Sequence, residues 1–320
     1  MGGGRAARVA VAGRIPVAAR GFCAARGLCA ARGLGAVRIL VAAMVLLAAQ
    51  AAPGGPLEAQ QRRLPLAPIL PEGDELAPFF EGWYRNDDGT FTLSFGFFNL
   101  NSRQILDIPL GPENFIEPAE FDGMQPTHFP VRPRRDRGVF HVTVPASYGD
   151  GEQAVVWTIT ANGYTNATPG RVGVPALQLD YGPRAMGSVS PVVRFSPGGQ
   201  AGQHIQGVWG EPLTAKVGEP LTLTLWTEEV SVRAPEDMVN VSVPVGVSWF
   251  KHQGPAGAVS VDPRRVNVVG GTGEATATAV FSEPGEYVLR ARVDNWAAND
   301  STGGDQCCWT NAYVRVTVTR

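Results

Sequence analysis

The sequence predicts an all-β fold, with two tandem β-sandwich domains that follow an N-terminal signal peptide and a proline-rich tether. Short runs of alternating apolar and polar residues recur along most of the chain, with Gly, Pro, Asn and Asp between them. The chain has 320 residues, which is enough for two cores of ordinary size.

Residues 1–51 have the features of a secretory signal peptide. They contain seven arginines and no acidic residue, followed by the apolar run from Ile39 to Ala49 and a small-x-small cleavage site at Ala49-Gln50-Ala51. The apolar run is short for a membrane span. The sequence thus predicts an exported protein that is periplasmic, at the cell surface or secreted. An uncleaved N-terminal anchor and an over-extended gene start are alternatives that the residues leave open.

Removal of this segment changes the charge of the protein. The chain has 27 basic and 29 acidic residues, and loss of the seven arginines leaves 20 basic residues and a net charge of −9. Such a surface repels nucleic acids and anionic membranes. We therefore exclude nucleic-acid partners, and we expect no membrane contact beyond the anchor that an uncleaved signal would form.

The first predicted domain covers residues 79–181. A tether of residues 52–78 precedes it, because six prolines interrupt any regular helix or strand there. The turn Asn86-Asp87-Asp88-Gly89 predicts a hairpin. The strand after it is expected to be half-buried, with one set of apolar side chains on its buried face and Thr92, Ser94 and Gly96 on the other face. The apolar set is Phe91, Leu93, Phe95 and Phe97.

Residues 99–133 are predicted to form a long loop, because turn residues replace the alternating pattern. Loops of this length often carry function. Four acidic residues lie in it: Glu113, Glu117, Glu120 and Asp122. Two converging carboxylates can hydrolyse glycosides, so an extracytoplasmic hydrolase or metal-dependent enzyme that uses these acids is the alternative functional hypothesis. A solvated acidic face is the simpler interpretation.

Residues 182–206 have the Pro/Gly composition of a linker, and residues 207–320 form the second predicted domain. Its motifs VGEPLTLTL, VSWF, EPGEYVLRARVDN and VRVTV resemble an immunoglobulin-like or PKD-like repeat over residues 207–319. The resemblance implies a β-sandwich in which Trp249 lies on the third strand and Tyr287 forms a tyrosine corner. The chain departs from it, because Trp249-Phe250 is not followed by a Gly-Asp-Gly turn and the inter-sheet cysteine pair is missing.

The first domain, with DGTFTLSFGFFNLN and QPTHF, resembles uncharacterised exported bacterial proteins, which implies no function.

The last inter-strand loop begins at Asp294 and contains Cys307 and Cys308, the only cysteines expected in the mature chain. Three states are open to them in an exported protein: a disulfide between neighbours, a bond to another chain, or free thiols. Our hypothesis is that a neighbour disulfide stiffens the loop and presents Trp296 and Trp309 as a flat contact surface.

The same loop contains oxygen ligands of the kind that calcium prefers. The calcium hypothesis names Asp294, Asn299, Asp300 and Asp305. Their spacing does not fit an EF-hand loop, and Asp and Asn are also ordinary turn residues. No other cofactor is expected.

Four histidines, at 128, 141, 204 and 252, share no metal-ligand spacing, so we interpret them as solvated or hydrogen-bonded structural residues.

Searches of the sequence for nucleophile-elbow, metalloprotease, phosphate-loop and dinucleotide motifs find none. The sequence therefore favours an exported, non-catalytic binding or structural module. We expect it to contact a protein or polysaccharide partner of the cell envelope through the end loops of a β-sandwich.

Overall fold

The computed structural model describes residues 69–233, 243–304 and 306–320. The predicted signal peptide and most of the predicted tether lie outside these residues. Residues 67–320 form one compact unit. The described residues contain no α-helix, and their strands assemble into several sheets, so the predicted all-β class is confirmed. No helix in the described part of the chain has the length and hydrophobicity that a membrane span requires.

The first half of the unit consists of two three-stranded sheets and one two-stranded ribbon. One sheet has the order β1-β2-β6, the other has the order β4-β7-β8, and β3 pairs with β5. The strands are β1 (Leu76–Arg85), β2 (Phe91–Asn99), β3 (Leu106–Asp107), β4 (Asn114–Glu117), β5 (His128–Phe129), β6 (Arg135–Val144), β7 (Val155–Ala161) and β8 (Tyr164–Gly170).

Aromatic side chains fill the core of this half. Phe140 stacks on Phe95 with ring centroids 5.2 Å apart and meets Trp157 edge-on at 4.9 Å. Phe97 and Phe129 make a second edge-on pair at 5.0 Å. Offset and edge-on pairs are the favourable arrangements for aromatic rings, so this half has a rigid core despite its short strands.

Strand β2 is buried on both faces, which differs from the half-buried strand that its alternation predicted. The predicted hairpin is confirmed, since β1 and β2 pair antiparallel around the turn at residues 86–89. The apolar face is buried as expected, but Thr92 and Ser94 on the other face are also fully buried. Thr92 Oγ1 accepts a hydrogen bond from Gln206 Nε2 at 3.1 Å. The second half of the unit therefore covers the face that was expected to meet solvent.

The second half is a sandwich of two sheets around one core. One sheet has the order β10-β18-β17-β13-β15, with β11 also paired to β18, and the other has the order β14-β16-β12-β9. The strands are β9 (Val192–Arg194), β10 (Val208–Trp209), β11 (Leu213–Lys216), β12 (Leu221–Glu228), β13 (Val245–Gln253), β14 (Val259–Asp262), β15 (Arg265–Val268), β16 (Gly273–Phe281), β17 (Gly285–Asp294) and β18 (Trp309–Thr319).

Two residues expected from the immunoglobulin-like resemblance occupy matching places in this sandwich. Trp249 is buried in the core on β13. Tyr287, on β17, donates its hydroxyl hydrogen to the carbonyl oxygen of Glu283 at 2.9 Å, which is the backbone contact of a tyrosine corner. The coarse expectation of an immunoglobulin-like sandwich is thus consistent with the structure.

Strands also occur in segments that were expected to be irregular. Strand β1 begins inside the predicted tether, and Pro78 is tolerated there because β1 is the edge strand of its sheet. Strand β9 lies within the predicted linker and pairs with β12. Strands β3, β4 and β5 lie within the predicted loop 99–133. The division of residues 79–320 into two domains separated by a linker stays a prediction.

Candidate functional site

The vicinal cysteines lie in a short 3-10 turn, Gln306–Cys308, immediately before β18. A disulfide joins Cys307 to Cys308. Both cysteines are fully buried. The pair is therefore part of the packed structure and is not an accessible feature of a loop tip.

Trp309 does not offer a contact surface, because only 1% of it is exposed. It packs in a cluster with Tyr84 of β1 and Ile205, and Trp296 meets it edge-on with ring centroids 6.1 Å apart. A Cβ atom added to Gly138 would lie 2.9 Å from Trp309 Cζ2, so β6 approaches the indole closely. The flat surface predicted for both tryptophans is thus corrected: only Trp296, which is partly exposed, reaches solvent.

The residues named for calcium have other partners where the structure describes them. Both oxygens of Asp294 accept hydrogen bonds from Arg265, at 2.7 and 2.8 Å. Asp300 accepts hydrogen bonds from Ser188 Oγ and from the backbone of residues 186 and 188, and Asn299 is exposed.

Asp305 lies outside the described residues. Nowhere in the described chain, the final loop included, are three His, Cys, Asp or Glu side chains grouped as metal ligands. Calcium binding stays a prediction, which a calcium-dependent shift in melting temperature would test.

The four acidic residues of the predicted loop do not converge on a pocket. Glu113, Glu117, Glu120 and Asp122 are all exposed. Asp122 accepts a hydrogen bond from the Ile116 backbone at 2.9 Å, which is a local turn contact. None of the four lines the cleft between the two halves of the unit. Their arrangement matches the simpler interpretation, a solvated acidic face.

A large cleft lies between the two halves of the unit and has a volume of about 620 Å³. We call it the central cleft and define it by six of its lining residues. They are Ile105, Asp107, His128 and Arg132 from the first half, and Phe250 and Lys251 from the second. Its size lies in the range of small-molecule and ligand-binding sites, about 300–1,000 Å³.

Three charged or polar groups are fixed at one wall of this cleft. Asp107 Oδ1 lies 2.9 Å from Lys251 Nζ and 2.8 Å from His128 Nδ1. Burial alone would raise the pKa of Asp107, but hydrogen bonds from His128 and Lys251 outweigh it and lower that pKa. Asp107 is therefore held as a carboxylate.

Lys251 is held by more than Asp107. Its ammonium group also donates to the carbonyl oxygens of Pro255 and Gly257. An ammonium group has three N–H donors, and all three are used. Lys251 is therefore held in position by three acceptors and has no donor left for a ligand.

A second ion cluster lies deeper between the halves. Asp136 of β6 accepts hydrogen bonds from Arg290 and from Arg292 of β17, the latter at 3.0 Å. Arg290 is 2% exposed, and its guanidinium lies 5.1 Å above the ring of Phe250. Two cations share one carboxylate, so this region has an excess of positive charge.

A clasp of backbone hydrogen bonds holds the two halves together beside the central cleft. Thr127 N donates to His252 O at 2.8 Å, and Gly254 N donates to Thr127 Oγ1 at 3.1 Å. His252 Nε2 lies 2.8 Å from Met124 O, which can only accept, so this nitrogen bears the proton. Burial, together with the charge of Arg290, lowers the pKa of His252 to about 3. His252 is thus a neutral, hydrogen-bonded structural residue.

Most of these residues carry no motif in the sequence. Asp107, Asp136, Lys251, Arg290 and Arg292 are ordinary charged residues on alternating strands, and their partners are more than 100 positions away.

No family model and no curated protein matches the chain. Among solved structures, the D00–D0 domain of intimin is 16% identical, with 77% of this chain and 100% of that chain covered and a TM-score of 0.24. The ASH/PapD-like domain 7 of human CEP192 is 9% identical over 42% of this chain and 87% of that chain, with a TM-score of 0.25. The Yersinia pseudotuberculosis adhesin InvE is 11% identical over 75% of this chain and 58% of that chain, with a TM-score of 0.23.

At TM-scores this low the likeness carries no argument about function. The architecture described above rests on the strands, their pairing and the tyrosine corner of this chain.

Proposed function

We propose that the protein is an exported, non-catalytic module of the cell envelope that binds a protein or polysaccharide partner. The central cleft carries this proposal, because it is a large cleft whose walls are fixed by ion pairs and by the backbone clasp. The central cleft replaces the flat surface expected from Trp296 and Trp309 as the proposed contact, since Trp309 is buried.

The groups of the cleft suit binding better than catalysis. Lys251 has no free donor, and Asp107 is shared between Lys251 and His128. Catalytic acids and bases need a proton that can be exchanged with substrate, whereas these groups are hydrogen-bonded to one another. Fixed charges of this kind orient a ligand and discriminate between ligands.

The mouth of the cleft combines apolar and cationic surface. Ile105 is 52% exposed there, and the exposed side chains of Arg132 and Arg264 lie beside it. Apolar area contributes affinity, while arginines at the rim select for acidic or hydrogen-bonding groups. Export follows from the predicted signal peptide, and a disulfide fits an oxidising compartment.

A pair of matched variants tests the proposal. Ile105→Asp places a charge in the cleft mouth, whereas Val269→Asp makes the same kind of change at a residue that is 86% exposed and does not line the cleft. The exported protein and both variants would be immobilised and exposed separately to envelope proteins and to envelope polysaccharides.

We expect saturable binding of one fraction that Ile105→Asp weakens by about tenfold or more and Val269→Asp leaves within about twofold. Equal binding by the two variants would remove the central cleft from the proposal. Chemical conversion of the bound material by the wild-type protein would contradict the non-catalytic assignment.

A further inference from the structure

A second, smaller cleft of about 330 Å³ contains three arginines and two tryptophans. We call it the arginine cleft and define it by Arg135, Arg137, Arg292, Trp296 and Trp309. Among the described residues that line it there is no acidic side chain. It shares none of its lining residues with the central cleft.

The positive charge of this cleft is only partly neutralised. Arg137 Nη1 lies 3.8 Å from Glu81 Oε1, and Arg292 shares Asp136 with Arg290. Arg135 stacks on Phe79, its guanidinium carbon 5.0 Å from the ring centroid.

The four arginines named above thus have only two carboxylates near them, those of Glu81 and Asp136. Of these two, Glu81 is only partly ionised. Burial raises the pKa of Glu81 to about 7 against the opposing effects of Arg137 and of the Gly138 N–H. Near neutral pH Glu81 therefore carries only part of a negative charge, and the cleft is cationic in a protein whose mature chain is acidic.

The floor of the cleft has hydrogen-bond donors that lack acceptors. The Nε atom of Arg292 and the Nε1 atoms of Trp296 and Trp309 are buried, and none has a partner within the described residues. The three groups lie together: the Arg292 guanidinium carbon is 4.5 Å from the Trp296 ring centroid, and Trp296 contacts Trp309. Buried donors without acceptors are unfavourable and call for an explanation. All three are N–H groups of residues that line the cleft.

We infer that the arginine cleft is an oxyanion-binding site that takes a carboxylate, sulfate or phosphate group belonging to a larger acidic ligand. A guanidinium group matches the geometry of these groups and can bind them through two parallel hydrogen bonds. Arg135 supplies the most accessible guanidinium, since it is exposed and has no carboxylate partner among the ion pairs of the described residues.

Arg135→Gln is the variant that tests this site, and Arg134→Gln is its matched control. Arg134 is the preceding residue, it stacks on Phe98 at 4.9 Å as Arg135 stacks on Phe79, and it does not line the cleft. Both variants lose one positive charge. A difference between their affinities therefore measures the contribution of Arg135 within the arginine cleft and not the change in net charge.

The probes are sodium sulfate, sodium phosphate, an oligogalacturonate and a neutral oligosaccharide of the same length. Binding would be followed in the full-length protein by tryptophan fluorescence, with Trp296→Phe to assign the signal, and by calorimetry. We expect the anionic probes to bind and the neutral one not to bind. Arg135→Gln should weaken binding by about 10- to 100-fold, the loss expected for a charged hydrogen bond, and Arg134→Gln by less than about twofold.

Tighter binding of the oligogalacturonate than of the free ions would identify an acidic polymer as the source of the group. Equal binding would identify a site that recognises only the charged group. Failure of every anionic probe to bind, or equal losses in Arg134→Gln and Arg135→Gln, would overturn the inference. Ile105→Asp should leave anion binding unchanged, so this result is independent of the central cleft.

Discussion

Arg292 Nη1 donates to Asp136 Oδ1 at 3.0 Å across the boundary between the two halves of the unit. The side chains are 12% and 3% exposed, so the contact is sheltered from water. Arg290, two residues earlier on the same strand, donates to the other oxygen of Asp136. A single carboxylate on β6 therefore compensates two arginines on β17, which makes Asp136 the residue on which the junction most depends.

Replacing Asp136 by alanine should destabilise the protein by about 3–5 kcal/mol, because the variant leaves two buried guanidinium groups without their counter-ion. Equilibrium unfolding in urea measures the loss. The matched control is Glu228→Ala, which removes the partner of Arg194 in a pair whose side chains are 46% and 28% exposed. An exposed pair contributes about 0–1 kcal/mol. Similar losses in the two variants would contradict the central role of Asp136.

The strands were predictable from the sequence, and the junction between the halves was not. Alternation placed Phe91, Leu93, Phe95 and Phe97 on a buried face of β2, and they are buried. The same rule assigned Thr92 and Ser94 to solvent, because a strand pattern shows the polarity of a face but not what covers it. Thr92 is buried under Gln206, a residue 114 positions away.

The candidate sites were missed for a related reason. A charged residue on a strand is interpreted as exposed to solvent unless its partner is known. Asp107 and Lys251 are 144 positions apart, so the sequence does not show that they are partners. The final loop was found from its composition, but Trp309 was expected at the surface because the sequence does not show that β6 approaches it at Gly138.

The stability of the protein should depend on the protonation of Glu81. Burial raises its pKa from 4.5 to about 7, so the folded state binds a proton more tightly than the unfolded chain. The resulting stabilisation is fully present below the unfolded value and is lost as pH rises through 7. In Glu81→Gln the side chain is neutral at every pH.

The variant should therefore gain stability relative to wild type by about 2–3 kcal/mol between pH 5 and pH 8. Urea unfolding of both proteins at several pH values provides the comparison. Parallel profiles for the two proteins would show that Glu81 titrates normally in the folded state.

Trp309→Ala should act on folding, because the indole is 1% exposed and packs against Tyr84 and Ile205. A loss of about 3–5 kcal/mol is expected for a buried tryptophan. Trp296→Ala should cost less, since Trp296 is partly exposed. Thermal unfolding of the two variants measures the difference. If Trp309→Ala unfolded at the wild-type temperature, the indole would have to be at the surface. This result would support the contact surface of Trp296 and Trp309 that was expected from the sequence.

The Cys307–Cys308 disulfide can be tested by mass spectrometry, provided that the protein is unfolded first. Both cysteines are buried, so a failure to alkylate the native protein would reflect burial as much as bonding. In denaturant without a reductant, we expect no alkyl group on this pair, and two after reduction. A proteolytic peptide containing both residues should then be lighter than its reduced form by two hydrogens. Two alkyl groups added before reduction would show free thiols, and a doubled mass that reduction removes would show a bond to another chain.

Since the pair directly precedes Trp309, we also expect reduction to lower the melting temperature more in wild type than in Trp309→Ala, because the two changes then disturb the same packing.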